Sequence, residues 1–267
     1  MQGLGMPTLL WEPQGMTDEP EHMYERIAAV LRDKILIGEL PAGGRLPTQA
    51  VLSSEYGVSR IVARKALDLL EAEGLIDRVQ GGGAFVRRYR PLLRRSALHY
   101  KSDPGAPFAE ESIATERVPR YSHRTYPDRA GPTIAQRLGI SIGDDVMRTL
   151  YTSYADDQPT MLVDSFEPQA ITRGTPIERP EEGPLLGAGI VDRFTSIGMR
   201  PTRVVETLRS RMPRPSEVEQ LELRPGTPVT EIVRICYAGT TPIETADILL
   251  AGDQFELEYT ITVAPEG

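Results

Sequence analysis

Apolar residues recur at three- and four-residue steps through two early stretches of the chain. From Met23 to Gly38 they are Tyr24, Ile27, Ala28, Leu31, Ile35 and Leu36, which predicts one amphipathic helix ended by Gly38. From Ser59 to Gly74 they are Ile61/Val62, Ala66 and Leu69/Leu70, with Ser59 placed to cap a second helix and Gly74 to close it. Between them Leu40–Gly44 breaks the chain, and Leu46-Pro47-Thr48-Gln49 opens a short helix through Leu52 to Tyr56, capped by Thr48. After Gly74 the pattern changes. Leu75–Gln80 reads as a strand, Gly81-Gly82-Gly83 as a turn and Ala84-Phe85-Val86 as the returning strand. Helix, short helix, turn, helix and Gly-tipped hairpin is a winged helix-turn-helix. The polar face of the second long helix carries Arg60, Arg64 and Lys65 in its first two turns, where a helix entering the major groove meets base edges and phosphates. A solvated charged face has the same pattern, so it is the flanking elements that favour DNA.

The second half alternates differently and repeats. Shifting the sequence by 83 residues lays Leu138 on Leu221, Ile140 on Leu223, Gly143 on Gly226, Val146 on Val229, Tyr154-Ala155 on Tyr237-Ala238 and Pro159 on Pro242. Each copy reads as a short helix (Thr133–Leu138; Pro215–Leu221), a Gly turn, and two strands joined by a tight turn before Pro. The strands are Val146–Tyr154 with Thr160–Phe166, and Pro228–Tyr237 with Ile243–Leu250. Further strands fit Val204–Met212 and Phe255–Val263, and Leu185–Ile197 reads as a longer helix. The expected fold class is α+β: a winged helix-turn-helix joined to a mainly antiparallel sheet domain with helices on one side. Two repeats facing each other make a cleft, a common place for a small molecule.

Charge sharpens this division. The chain of 267 residues carries a formal net charge of -8, yet Met23–Arg95 holds 13 Lys and Arg against 8 Asp and Glu. From Ser96 onward the balance is 17 against 26. A basic module on an acidic body is the footprint expected when one end meets phosphate. Arg87–Arg95 is a basic run that reads equally as a solvated linker or as an arm along phosphates. Residues 1–22 read as a flexible leader, with Leu9-Leu10-Trp11 as an alternative docking patch; they have neither a positive start nor an apolar run of signal or membrane length. The expected divisions are a leader over 1–22, the DNA-binding domain over 23–88, a linker over 89–106 and the second domain over 107–264. A cytoplasmic location is expected. The single cysteine, Cys236, excludes an internal disulfide and a cysteine-based zinc site. His22, His99 and His123 are scattered, Asp144-Asp145 and Asp156-Asp157 sit at turns, and no phosphate loop or metal-ligand spacing appears, so no enzyme activity, cofactor or metal is expected.

Tyr24–Val86 resembles the DNA-binding domain of the GntR family of bacterial transcription regulators. The strings that carry the likeness are Y-x-x-I-A-x-x-L-R at Tyr24–Arg32, G-x-L-x-x-G at Gly38–Gly43, L-P-T at Leu46–Thr48 and Y-G-V-S-R at Tyr56–Arg60. They continue with R-x-A-L at Arg64–Leu67, E-G-L-I at Glu73–Ile76 and Q-G-x-G-x-F-V at Gln80–Val86. With the resemblance, the candidate DNA-contacting residues are Arg45, Thr48, Gln49, Ser59, Arg60, Ile61, Arg64, Lys65 and the wing glycines Gly81, Gly82 and Gly83. The chain departs from the pattern at Ala50, at Ile61-Val62 and at Gly82, where the family usually has Arg, a Thr pair and Lys. Roughly Pro107–Val263 resembles the UTRA ligand-sensing domain of the HutC branch, whose fold is like chorismate lyase. The carriers are L-G-I-x-x-G-D-x-V at Leu138–Val146, P-L-L at Pro184–Leu186, M-P-x-P-x-E at Met212–Glu217, L-x-L-x-x-G-T-P-V at Leu221–Val229, P-I-E at Pro242–Glu244 and G-D-Q-F-E-L-x-Y at Gly252–Tyr259.

The resemblance implies a homodimeric, sequence-specific transcriptional regulator: a repressor on a double-stranded inverted-repeat operator, released by a small-molecule effector. The alternative is a ligand-independent dimeric repressor of plasmid or mobile-element genes, with a second domain that is structural only. Candidate effector-binding residues are Phe108, Ala109, Tyr151, Ser153, Val163, Asp164 and Glu244. For Tyr151, Ser153 and Glu244 ordinary strand alternation explains the residues as well as ligand contact does. Phosphosugar-sensing relatives place two Arg where this chain has Tyr151 and Ser153, so a less charged ligand than a sugar phosphate is expected.

Overall fold

A computed structural model of the chain describes residues 23–79, 81–88, 90–96, 98–101 and 107–261. The expected leader, and residues 102–106 of the expected linker, lie outside these. The chain divides into two compact units after Arg88.

The first unit holds helices α1 (Met23–Leu36), α2 (Gln49–Glu55) and α3 (Arg60–Ala72), then strands β1 (Ile76–Val79) and β2 (Gly83–Val86). Its core is the apolar stripe of α1, Ile27, Ala28 and Leu31, packed on Ala63, Ala66, Leu67 and Leu70 of α3. Burying one leucine stabilises by about 1.5–3 kcal/mol. Gly74 takes a φ of +74°, which reverses the chain after α3 and lets the Leu75 amide bond the Leu70 carbonyl. β1 and β2 pair antiparallel from Ile76↔Val86 to Val79↔Gly83, and Arg45 bridges Phe85 as a third short edge.

The second unit is built on a six-stranded antiparallel sheet. Its strands are β4 (Pro119–Arg129), β5 (Asp145–Ala155), β6 (Gln158–Pro168), β7 (Arg203–Arg211), β8 (Val229–Ala238) and β9 (Thr241–Ala251), in the order β4-β5-β6-β9-β8-β7. Helices α4 (Pro107–Ala114), α5 (Pro132–Leu138), α6 (Gln169–Thr172), α7 (Ile190–Ser196) and α8 (Pro215–Gln220) accompany it. The repeat visible in the sequence is the symmetry of this sheet. Asp164 of β6 pairs with Asp247 of β9, and the two are 83 residues apart, so an approximate two-fold axis passes between them. Each hairpin also carries a register shift at the same point, Ser153/Tyr154 and Cys236/Tyr237. Both are 83 residues apart.

Several expectations need correction. The basic run is not all linker: β3 (Leu92–Arg95) pairs in parallel with β10 (Phe255–Glu258), and Leu92 is fully buried. Arg94 is buried too, so it is not available to an arm along phosphates. The helix expected over Leu185–Ile197 is a short 3-10 turn at Gly183–Leu185 followed by α7, because Gly187, with a φ of +75°, turns the chain between them. β10 ends at Glu258, short of the expected Val263, which lies outside the described residues.

Candidate functional site

On the first unit the candidate surface is assembled from the starts of two helices and the wing. Thr48 caps α2 by accepting from the Val51 amide at 3.3 Å, and Ser59 caps α3 by accepting from the Val62 amide at 3.3 Å. Both hydroxyls stay exposed, so each fixes a helix terminus while facing solvent beside it. With Ser59 as cap, Arg60 and Ile61 are the first residues of α3 and Arg64 lies one turn on. All three are exposed, Ile61 to 70%, opposite the buried Ala63, Ala66 and Leu67. Lys65 points elsewhere on the helix, with its ammonium 5.8 Å from the Tyr24 ring of α1.

An open groove of about 620 Å³ lies between these helix starts and the wing, lined by Thr48, Gln49, Arg60, Arg78, Gly81 and Gly83 among others. Arg78 is the wing's brace. It donates to Asp68 at 2.6 Å and to the Arg64 carbonyl at 3.3 Å, which ties β1 to α3. Arg45 packs where a side chain on Gly83 would go: a Cβ there would meet its Nε at 3.2 Å. Gly83 has a φ of +106°, so the backbone there favours glycine. Gly81, at +74°, is the open tip. The structure thus brings Thr48, Gln49, Ser59, Arg60, Ile61, Arg64 and the wing together, with Arg45 behind the wing and Lys65 to one side. Arg78 is not marked by any local sequence pattern. Its signal, a cation in β1 facing acidic residues of α3, is visible only once the hairpin is folded back.

The second unit contains a cavity of about 330 Å³ over β5 and β6. Alternation on β6 sends Met161, Val163, Ser165 and Glu167 to it, and Tyr151 and Ser153 of β5 join them. Phe108 and Ala109 of α4, Ile190 and Arg193 of α7 and the 187–189 turn complete the wall. Six of the seven expected effector residues line it: Phe108, Ala109, Tyr151, Ser153, Val163 and Glu244. Asp164 does not. As the neighbour of Val163 on a strand it faces the other side, where Arg148 holds both its oxygens at 2.8 and 2.7 Å.

The polar end of this cavity is a set of buried ion pairs. Arg193 donates to Glu167 at 2.9 and 2.8 Å, with both side chains almost wholly buried. Burial raises the Glu167 carboxyl, and Arg193 opposes that shift by charge and hydrogen bonding. Arg234 donates to Glu244 at 2.6 and 3.2 Å, and Ser165 adds a 2.9 Å bond. Burial by itself would lower Arg234; the Glu244 charge outweighs it and holds the guanidinium well above its usual range. Tyr151 donates to Glu181 at 2.9 Å, and its phenol is raised by burial and then by that carboxylate. Glu167, Glu181, Arg193 and Arg234 were not anticipated. Glu167 had a signal, since it continues the inward set 161-163-165; Glu181 reaches the site from a loop and Arg193 from the short helix α7.

The family profile described as "Bacterial regulatory proteins, gntR family" matches residues 23–86, and the profile described as "UTRA domain" matches residues 122–256. A crystal structure of a GntR-family transcriptional regulator covers 91% of this chain and 98% of its own, at 36% identity and a TM-score of 0.66. The chain belongs to the GntR family. Within it, the chain is 27% identical over 254 residues to the histidine utilization repressor of Pseudomonas aeruginosa, covering 90% of this chain and 91% of that one. The crystal structure of PhnF from Mycobacterium smegmatis, at 20% identity, shares the fold with a TM-score of 0.55 over 89% of this chain. This GntR regulator is therefore of the HutC type, a helix-turn-helix module followed by a UTRA domain. Among its described residues no helix is long and apolar enough to cross a membrane.

Proposed function

We propose that this GntR regulator is a cytoplasmic, homodimeric transcriptional repressor that reads an inverted-repeat operator with α3 and the wing. A small molecule in the cavity of the second unit releases it. The observation that carries the ligand-responsive half is the cavity itself, because its wall includes residues of the segment that leads out of the DNA-binding unit. His99 and Phe108 line it, and β3, just upstream, is sewn into the second unit by β10. A ligand touching that segment can favour one arrangement of the dimer over another, provided it binds the two with different affinity. Some relatives support the sign, being named as repressors of histidine utilization and of mannosyl-D-glycerate transport and metabolism. Two carboxylates of the cavity wall, Glu167 and Glu244, are committed to Arg193 and Arg234, which fits a sensor better than an enzyme.

The test couples two readouts on the full chain. Metabolites are screened for a rise in melting temperature, since a ligand of the native state stabilises by mass action. Those that bind are titrated into the protein–operator complex and DNA release is followed by fluorescence anisotropy. The reading expects a binder that weakens operator affinity roughly 5- to 150-fold, with the operator weakening the binder by the same factor. Binders that leave DNA affinity untouched would favour a purely structural second domain.

A further inference from the structure

Two arginines compete for one carboxylate beside the proposed DNA-reading face. Asp68 lies one helical turn after Arg64 on α3, and Arg78 reaches it from β1. Nη1 of Arg78 donates to Asp68 Oδ1 at 2.6 Å, whereas Nε of Arg64 stands 3.9 Å from Oδ2, too far for a hydrogen bond. Prior positioning decides the contest. Nη2 of Arg78 donates to the Arg64 carbonyl at 3.3 Å and its Nε lies 3.4 Å from Glu71, so three contacts fix its guanidinium on α3. Its side chain is 24% exposed against 68% for Arg64, so it gives up less freedom in pairing.

Without Arg78 the balance reverses. Side chains four apart on a helix are neighbours, and opposite charges there pair, so Asp68 would draw Arg64 onto itself. Glu71 is seven residues from Arg64, about 10 Å along the axis, beyond such a contact. An Arg64 drawn onto Asp68 spends the forked donors that a guanine would take. We infer that Arg78 is a positioning residue for base reading: it occupies Asp68 and so leaves Arg64 to the DNA. The inference rests on the proposal that the start of α3 reads the operator. It gives the brace of the wing a second task, setting how much of the time Arg64 points outward.

The probe is the duplex that the natural full chain enriches most from a random pool, and its affinity is read by fluorescence anisotropy at one salt concentration. Arg78→Ala should weaken binding about two- to fivefold for each half-site, the scale of one exposed ion pair, beyond any loss from a looser wing. Adding Asp68→Asn, which keeps the side chain's shape and removes its charge, should return that factor. The same Asp68→Asn step in a chain carrying both Arg78→Ala and Arg64→Ala should return nothing, because no Arg64 guanidinium remains to be released. This comparison separates release of Arg64 from the general gain of removing an acid near phosphate, which would appear with or without Arg64. Arg78→Gln, which preserves the packing of the stem, replaces Arg78→Ala throughout if the alanine variant does not melt cooperatively. Unchanged affinity on loss of Arg78, equal recovery in both backgrounds, or recovery in neither overturns the inference and leaves α3 as the reader. A natural chain that enriches no duplex overturns the DNA reading, and the inference with it.

Discussion

Arg94 donates through both terminal nitrogens to the two carboxylate oxygens of Glu206, at 3.3 and 2.5 Å, with side chains only 2% and 6% exposed. The pair joins β3, the first strand after the DNA-binding unit, to the edge strand β7. Tyr100 and Tyr259 complete it by donating to the same carboxylate at 2.5 and 3.1 Å. Removing one member of such a pair strands the other charge in the interior. Arg94→Ala is therefore expected to cost about 3–5 kcal/mol in urea unfolding of the full chain. A loss below about 1 kcal/mol would show that the strap is not held by this pair.

The same carboxylate gives a pH dependence. Burial pushes the Glu206 carboxyl up, and the hydrogen bonds and charge of Arg94 outweigh that, leaving it below the usual carboxylate range. A folded-state value depressed below the unfolded one contributes stability above the unfolded value, about pH 4.3, and loses it as pH falls through the folded one. Stability should thus decline below about pH 4, and Glu206→Gln should flatten that decline. Melting curves across the acid range decide this; an unchanged slope in the variant would exclude Glu206 as its source.

On the DNA side, Arg64 is held only loosely by its own helix, 3.9 Å from Asp68 with both side chains open to solvent. It is free to turn toward a guanine. Arg64→Ala should lower specific operator affinity by about 1–3 kcal/mol, roughly 5- to 150-fold, and leave the melting temperature unchanged. Near-normal affinity in the variant would move the reading face elsewhere.

Ser59 links stability to the same face. Its side chain caps α3 immediately before Arg60, so Ser59→Ala should destabilise the first unit by about 0.5–2 kcal/mol and fray the turn that presents Arg60. Loss of operator affinity in this variant should exceed what one phosphate contact explains. Urea titration and anisotropy on the same preparation separate the two effects.

What the sequence revealed follows the strength of its local signals. α1, α3 and the wing were legible because caps, glycines and three-four spacing fall within one element each. The 83-residue repeat was legible because turn residues recur with the strands, and the sheet symmetry at Asp164 and Asp247 is its physical counterpart. β3 was hidden because its inward positions are Leu92 and Arg94: a buried arginine breaks the apolar alternation, and its partner β10 lies some 160 residues away. β4 was hidden for another reason. It is a mostly exposed edge strand containing Pro119 and Pro127, held in register by β5 and not by an apolar pattern of its own. In the cavity, residues on predicted strands were found, whereas Glu181 and Arg193 are brought in by loops and a short helix that only the tertiary fold positions.

On the proposed function, this chain reads a specific, two-fold-symmetric DNA sequence through the start of α3. Selection of bound duplexes from a random pool by the full chain, sequenced beside a selection by the Arg60→Ala/Arg64→Ala variant, tests it most directly. One enriched inverted repeat is expected for the natural chain, with half-sites spaced for a dimer, and no enriched motif for the variant. An asymmetric single site, or the same motif enriched equally by the variant, would contradict it.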